Sequence, residues 1–120
     1  MESALEFPDM GPDDYIEMFD AFTETLPDRL EEAAEEISLR VMRSAQREVN
    51  VDTGRLRASI DQEVERVTEH TVQAIVGSNV EYAPFHEMDY PYLRPAFESN
   101  RGFIRERIKQ AVDDAWEEVI

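Results

Sequence analysis

Apolar residues recur along this chain with two different periods, and the change between them separates helices from a hairpin. Leu30, Ala34, Ile37, Val41, Ala45 and Val49 fall three or four residues apart, while Glu31, Glu35, Glu36, Arg40, Arg43 and Arg47 fill the positions between. That is the pattern of a helix with one buried face, predicted over about residues 27–50. Pro27 suits its first turn, where a missing N–H costs nothing, and Asp28, Glu31 and Glu32 suit the positive end. Before it, Tyr15, Met18, Phe19 and Phe22 share a face behind Asp13 and Asp14, which predicts a short N-terminal helix ended by Pro27. Near the other end Phe97, Ile104, Ile108, Ala111, Val112, Ala115 and Val119, with Trp116 beside them, predict a last helix from Pro95 over about 95–119.

Between these helices the period changes. Asn50 to Ser59 gathers helix-stopping and capping residues, and Gly54 is expected at a sharp corner with positive φ. Ile60 to Val67 alternates loosely and Thr71 to Gly77 alternates through Val72, Ala74 and Val76, with a turn at Thr68 to His70, so a β-hairpin is predicted. Pro84 is expected to open a brief helical turn and Tyr90 to Leu93 to form a third strand. The fold class expected is α+β, with the two longer helices packed on a small antiparallel sheet and the short helix added. Residues 1–12, broken by Pro8, Gly11 and Pro12, read as an arm, and 13–120 as a single domain. Met1 to Met10 has neither a basic start nor an apolar run, so no secretion signal is expected, and nothing approaches membrane-spanning length.

Charge narrows the function classes. Among 120 residues, 28 Asp and Glu face 12 Lys and Arg, a formal net charge of -16. Such a surface repels phosphate backbones and anionic lipids, which argues against generic nucleic-acid or membrane-surface binding. Lys109 is the lone lysine beside eleven arginines. Acid-rich and lysine-poor composition points to a salt-loving host, because at molar salt the Debye length is about 3 Å and crowded carboxylates repel little while still holding water. An ordinary acidic protein is the plainer alternative. Without cysteine there are no disulfides and no thiolate metal sites.

Candidate chemistry is sparse. His86, Glu87 and Asp89 sit close together and suggest at most a small hydrolase using His86 and Glu87, yet neither they nor His70 stand in a metal-binding spacing. Ser59, Ser78 and Ser99 lack a nucleophile elbow, and the isolated Gly54 and Gly77 form no phosphate loop. No cofactor and no metal are expected. Arg55, Arg57 and Arg66, and separately Arg101, Arg105, Arg107 and Lys109, are basic clusters. Acidic neighbours such as Glu98, Glu106, Asp113 and Asp114 make ion pairs the simpler use for the second of them. Tyr82, Phe85, Tyr90, Tyr92 and Trp116 read as core or interface aromatics.

The ordered fragments Val51 to Ile60 (Val-Asp-Thr-Gly-Arg-Leu-Arg-Ala-Ser-Ile), Val76-Gly77, Tyr82 to Glu87 (Tyr-Ala-Pro-Phe-His-Glu) and Leu93 to Ala96 (Leu-Arg-Pro-Ala) together resemble a known family. It is the gene-ten-like family of phage Hong Kong ninety-seven, small neck and tail-completion morphogenesis proteins, and the resemblance covers about Pro27 to Ile120. Thr53, Gly54, Leu56, Arg57, Ser59, Ile60, Tyr82, Ala83, Pro84, Glu87, Arg94 and Pro95 match the family pattern. The departure follows Glu87, where an aromatic-Gly-Thr stretch and longer loop are usual and this chain has Met88, Asp89 and Tyr90. The resemblance implies a non-enzymatic virion protein that forms a ring with itself, a hexamer, between the capsid's portal side and the tail tube. Its implied partners are a head-closure or connector protein and a tail tube or tail terminator protein, with genomic DNA passing without sequence-specific binding and no membrane. Its implied location is the virion, after assembly in the host cytoplasm; a tail terminator or a tail-assembly factor is the alternative role. Thr53, Gly54, Leu56, Arg57, Tyr82, Ala83, Pro84, Phe85, Glu87, Arg94 and Pro95 are the expected structural and interface residues, with Tyr82 to Glu87 and Arg94 at or beside a subunit boundary.

Overall fold

The computed structural model describes residues 9–49 and 54–120, so Thr53 and most of the expected arm lie outside the described residues. Its elements are α1 (Pro12–Glu48), α2 (Gly54–Ser59), β1 (Asp61–Thr68), β2 (Thr71–Gly77), α3 (Ala83–Asp89), α4 (Leu93–Ser99) and α5 (Arg101–Val119). The α+β class expected from the sequence is the one observed: helices, one of them long, packed on a two-stranded antiparallel sheet.

One continuous helix runs where the sequence predicts two, and Pro27 lies buried inside α1 instead of bounding it. An internal proline forfeits a helical hydrogen bond and costs about 3 kcal/mol, so continuity needs a gain on both sides of it. α5 supplies that gain. Before Pro27, Phe19 and Phe22 pack on Trp116 with ring centroids 5.7 and 5.5 Å apart. Beyond it, Arg29 of α1 pairs with Glu118, and Arg107 of α5 bonds Glu36 at 2.5 Å. Docking on one partner outweighs the local rule that a proline stops a helix.

The predicted last helix is divided at Asn100, which is buried and anchored to α1. Its side-chain amide donates to Ser44 Oγ (2.9 Å) and to the Ala96 carbonyl (2.6 Å), while its Oδ1 accepts from Arg40 Nε (3.0 Å). By occupying the Ala96 carbonyl, the side chain takes the place of the backbone bond that would carry the helix through. Lys109 lies exposed on α5.

β1 and β2 pair with the register Gln62↔Val76, Val64↔Ala74 and Arg66↔Val72, interrupted at Val67 before Thr68↔Thr71. The face carrying Gln62, Val64 and Arg66 turns to α1: Gln62 accepts from Ser38 Oγ at 2.6 Å, and Arg66 binds Asp28 and Glu31 at 2.6 and 2.7 Å. A lone hairpin is marginal in water, and this one is held by that helix. The expected third strand at Tyr90–Leu93 is instead the junction of α3 and α4. The amides of Tyr92 and Leu93 are taken by the Glu87 carboxylate and have none left for a sheet.

The expected corner at Gly54 is also corrected. No described glycine has positive φ; Gly54 opens α2, and a β-carbon there would meet nothing within 4 Å. A side chain at Gly54 would therefore meet no left-handed strain. The described residues beside it are anchored: Leu56 is fully buried, and the Arg57 guanidinium donates to the Val49 carbonyl at 2.5 Å, closing the end of α1.

Burial is uneven along α1. At its C-terminal end Val41, Ala45 and Val49 form the core with Leu56, Ile60, Val80, Ala83, Tyr92 and Ala96. At its N-terminal end Met18 is buried, and Phe22 packs on the buried Trp116. Between them, Leu30, Ala34 and Ile37 from the predicted buried stripe line an open groove instead, opposite Val72, Ala74 and Val76. Among the described residues no helix is long and apolar enough to cross a membrane.

Candidate functional site

The candidate residues after the hairpin meet at the junction of α3 and α4, where a helix start is satisfied by a side chain from the preceding helix. The first amides of any α-helix have no partner within it. Here one carboxylate oxygen of Glu87 accepts from the amides of Tyr92 (3.0 Å) and Leu93 (2.9 Å), and the other from that of Arg94 (3.2 Å). The next residue, Pro95, has no N–H to satisfy, and Ala96 already bonds back to the Tyr92 carbonyl. Glu87 and Pro95, eight positions apart, thus complete one cap between them. Glu87 binds Arg94 through the backbone amide, and the Arg94 charge adds a smaller electrostatic pull.

The electrostatics follow from those bonds. Burial pushes the Glu87 carboxyl up, but the three amides outweigh it and hold the group below its ordinary value. A folded pKa below the unfolded one adds stability that is fully present above the unfolded value of about 4.3 and lost as pH falls through the lower folded value. Glu87→Gln is expected to cost about 1–2 kcal/mol at neutral pH. The variant should also lose less stability than the parent below about pH 4. Urea denaturation of both proteins from pH 7 to pH 3 checks this, and parallel curves would count against the cap. Burial first, then the Glu87 charge, raises the Tyr92 phenol, which stays protonated.

Braced in this way, α3 divides its side chains between inside and outside. Ala83 is buried in the core and Tyr82 is half-buried, with Arg55 above its ring at 5.8 Å. His86 packs against Tyr92, edge to face, at 5.7 Å between ring centroids, and its Nδ1 is buried with no hydrogen-bond partner. Outside stand Phe85, Met88 and Tyr90, 68%, 79% and 70% exposed, beside the exposed Pro84. Large apolar side chains so exposed on a braced helix make an apolar surface that the other described residues leave uncovered. The sequence pointed to Phe85 and, among the core or interface aromatics, to Tyr90, but not to Met88, which stands between Glu87 and Asp89 as in an ordinary solvated turn.

The earlier candidates serve the frame. Leu56 fills the core, Arg57 closes α1, and the Ser59 and Ser78 hydroxyls meet at 2.5 Å where the hairpin begins and ends. His86 and Glu87 offer no acid-base pair, since both Glu87 oxygens are taken by backbone amides. No group of three or more metal-ligating side chains occurs among the described residues.

A family model described as "Bacteriophage HK97-gp10, putative tail-component" matches residues 13–88. The match reaches further towards the N-terminus than Pro27 and ends before Arg94 and Pro95, so those two owe their place in the site to the cap geometry. Neither the curated proteins nor the solved structures gave a match.

Proposed function

Since this chain belongs to the HK97-gp10-like family of phage tail components, we propose that it is a non-enzymatic ring subunit of the virion neck or tail-completion position. The observation that carries this is the braced α3, which turns Phe85, Met88 and Tyr90 outward. An enzyme converges polar groups on a cleft, whereas this surface presents apolar bulk on a fixed mount, as a subunit contact does. Repeated around a closed axis, a hexamer in the proposal, the subunits join the capsid's portal side to the tail tube. A head-closure or connector protein lies on one side and a tail tube or terminator protein on the other. The net charge of -16 suits a channel through which DNA passes without adhering. The protein is assembled in the host cytoplasm and retained in the virion.

Phe85→Ala is expected to leave the fold intact and to weaken subunit association roughly 10- to 100-fold, the range of an interface hot spot. Tyr82→Ala and Arg94→Ala test the two flanks. Native mass spectrometry reads assembly, and circular dichroism separates interface loss from core damage. If all three variants stay folded and are incorporated into particles normally, the function does not lie in this segment.

The salt-loving host belongs to the same proposal. Screening of 28 carboxylates against 12 basic groups should raise the melting temperature steeply from dilute buffer to molar salt. Calorimetry across that range tests it, and a melting temperature indifferent to salt would remove the inference about the host.

A further inference from the structure

We infer that the Phe85, Met88 and Tyr90 knob of one copy seats in the open apolar groove of the next copy, a contact that rests on the ring proposed above. Neither surface is filled by the other described residues. The groove has a volume of about 560 Å³ and is lined by α1, the inner face of β2, and Phe97, Ile104 and Ile108. Phe97 and Ile108 remain 49% and 43% exposed along it. Pockets of about 300–1,000 Å³ enclose small-molecule-sized occupants, a size matched by two aromatic rings and a flexible thioether.

Within the chain the knob does not fill its own groove: none of Phe85, Met88 and Tyr90 lines it, and all three are exposed. α3 is anchored through Ala83 in the core cluster near the C-terminal end of α1, while the groove runs beside Leu30 to Val41 and reaches Leu93 of α4. From Ile37, midway along the groove, to Val49 is roughly 18 Å at 1.5 Å per residue. The Glu87 cap and the buried Ala83 hold α3 at that end. The contact is therefore between unlike patches on successive copies, the kind that propagates head to tail and closes into a ring when the rotation permits.

Charge gives the contact its partner. The knob is flanked by the exposed Glu81 and Asp89. On α5, Arg101 and Arg105 lie one turn apart beside Ile104 and Ile108, both exposed and neither in an ion pair with a described residue. In so acidic a chain, two arginines left over on the helix that carries Ile104 and Ile108 complement the acidic flanks of the knob on another copy.

The test uses two full-length variants. One disables the knob (Phe85→Asp with Met88→Asp) and one the groove (Phe97→Asp with Ile108→Asp), all at exposed positions. Native mass spectrometry in molar ammonium acetate should find each alone monomeric, with the self-association constant weakened at least about 100-fold, and circular dichroism should find each folded. Mixed in equal amounts they should form one-to-one dimers and nothing larger, because each pair keeps one good knob in one good groove and has neither left to offer. Oligomers of normal size from either variant, a mixture that stays monomeric, or a parent chain monomeric at 100 µM would each overturn the contact. The first of these would assign the groove to another virion protein. If the dimers form but particles assembled with the parent chain do not contain it, the neck proposal fails while the contact stands. If particles lose the protein with both variants yet no mixed dimer forms, the neck proposal stands without it.

Discussion

Tyr92→Ala is expected to cost about 3–5 kcal/mol, the usual range for truncating a buried aromatic ring. Its side chain is the largest of those that are fully buried, 1% exposed, and its ring meets His86 of α3 edge to face. The same residue begins α4 and gives its amide to Glu87. Removing the ring empties the space between α3, α4 and α1 and unseats the helix that carries the exposed aromatics. Total stabilities of small domains run from about 5 to 15 kcal/mol, so about a fifth or more would be lost, and the midpoint should fall by on the order of 10–20 °C. Tyr92→Phe keeps the ring and should stay within about 1 kcal/mol. Thermal denaturation of the two variants in molar salt decides the matter. If alanine costs no more than phenylalanine, Tyr92 is not the post on which α3 stands.

Trp116→Ala should cost a similar 3–5 kcal/mol, with the damage concentrated in one place. Trp116 is 2% exposed and receives both Phe19 and Phe22. The stretch of α1 before Pro27 is 15 residues long, a length at which an isolated helix in water is marginal. Pro27 already withholds one backbone bond at its base. Without the indole, that stretch should exchange its amide hydrogens rapidly while those from Val41 to Val49, in the main core, remain slow. Hydrogen exchange followed by mass spectrometry reads both regions at once. Equal loss in the two would mean that α1 opens as a single unit.

Much of this was legible from residue order. The hairpin was evident because Val72, Ala74 and Val76 fall at every second residue, a period that only a strand can place on one face. The amphipathic stripes located the helices for the same reason. Pro27 misled because a local rule was weighed without the docking on α5 that overrides it. Gly54 misled because glycine permits a left-handed turn without requiring one. The role of Glu87 was hidden more deeply. Its partners are backbone amides, which every residue except proline carries, so no side-chain pattern announces them. The sign that existed was an acidic residue shortly before an Arg-Pro helix start. The groove was invisible too, since the stripe of Leu30, Ala34 and Ile37 looks the same whether the chain covers it or leaves it for a partner.

The exposed Lys109 on α5 has a practical consequence in a chain whose other basic residues are all arginine. An amine-directed reagent finds one lysine side chain to modify in this sequence. Lys109 stands beside Glu106, Gln110 and Asp113, one turn beyond Arg105 on the helix that also borders the groove. A fluorophore or cross-linker attached there marks a single known face of every subunit. Its reactivity in intact particles, compared with that in the free protein, reports whether that face points towards a neighbour or towards solvent.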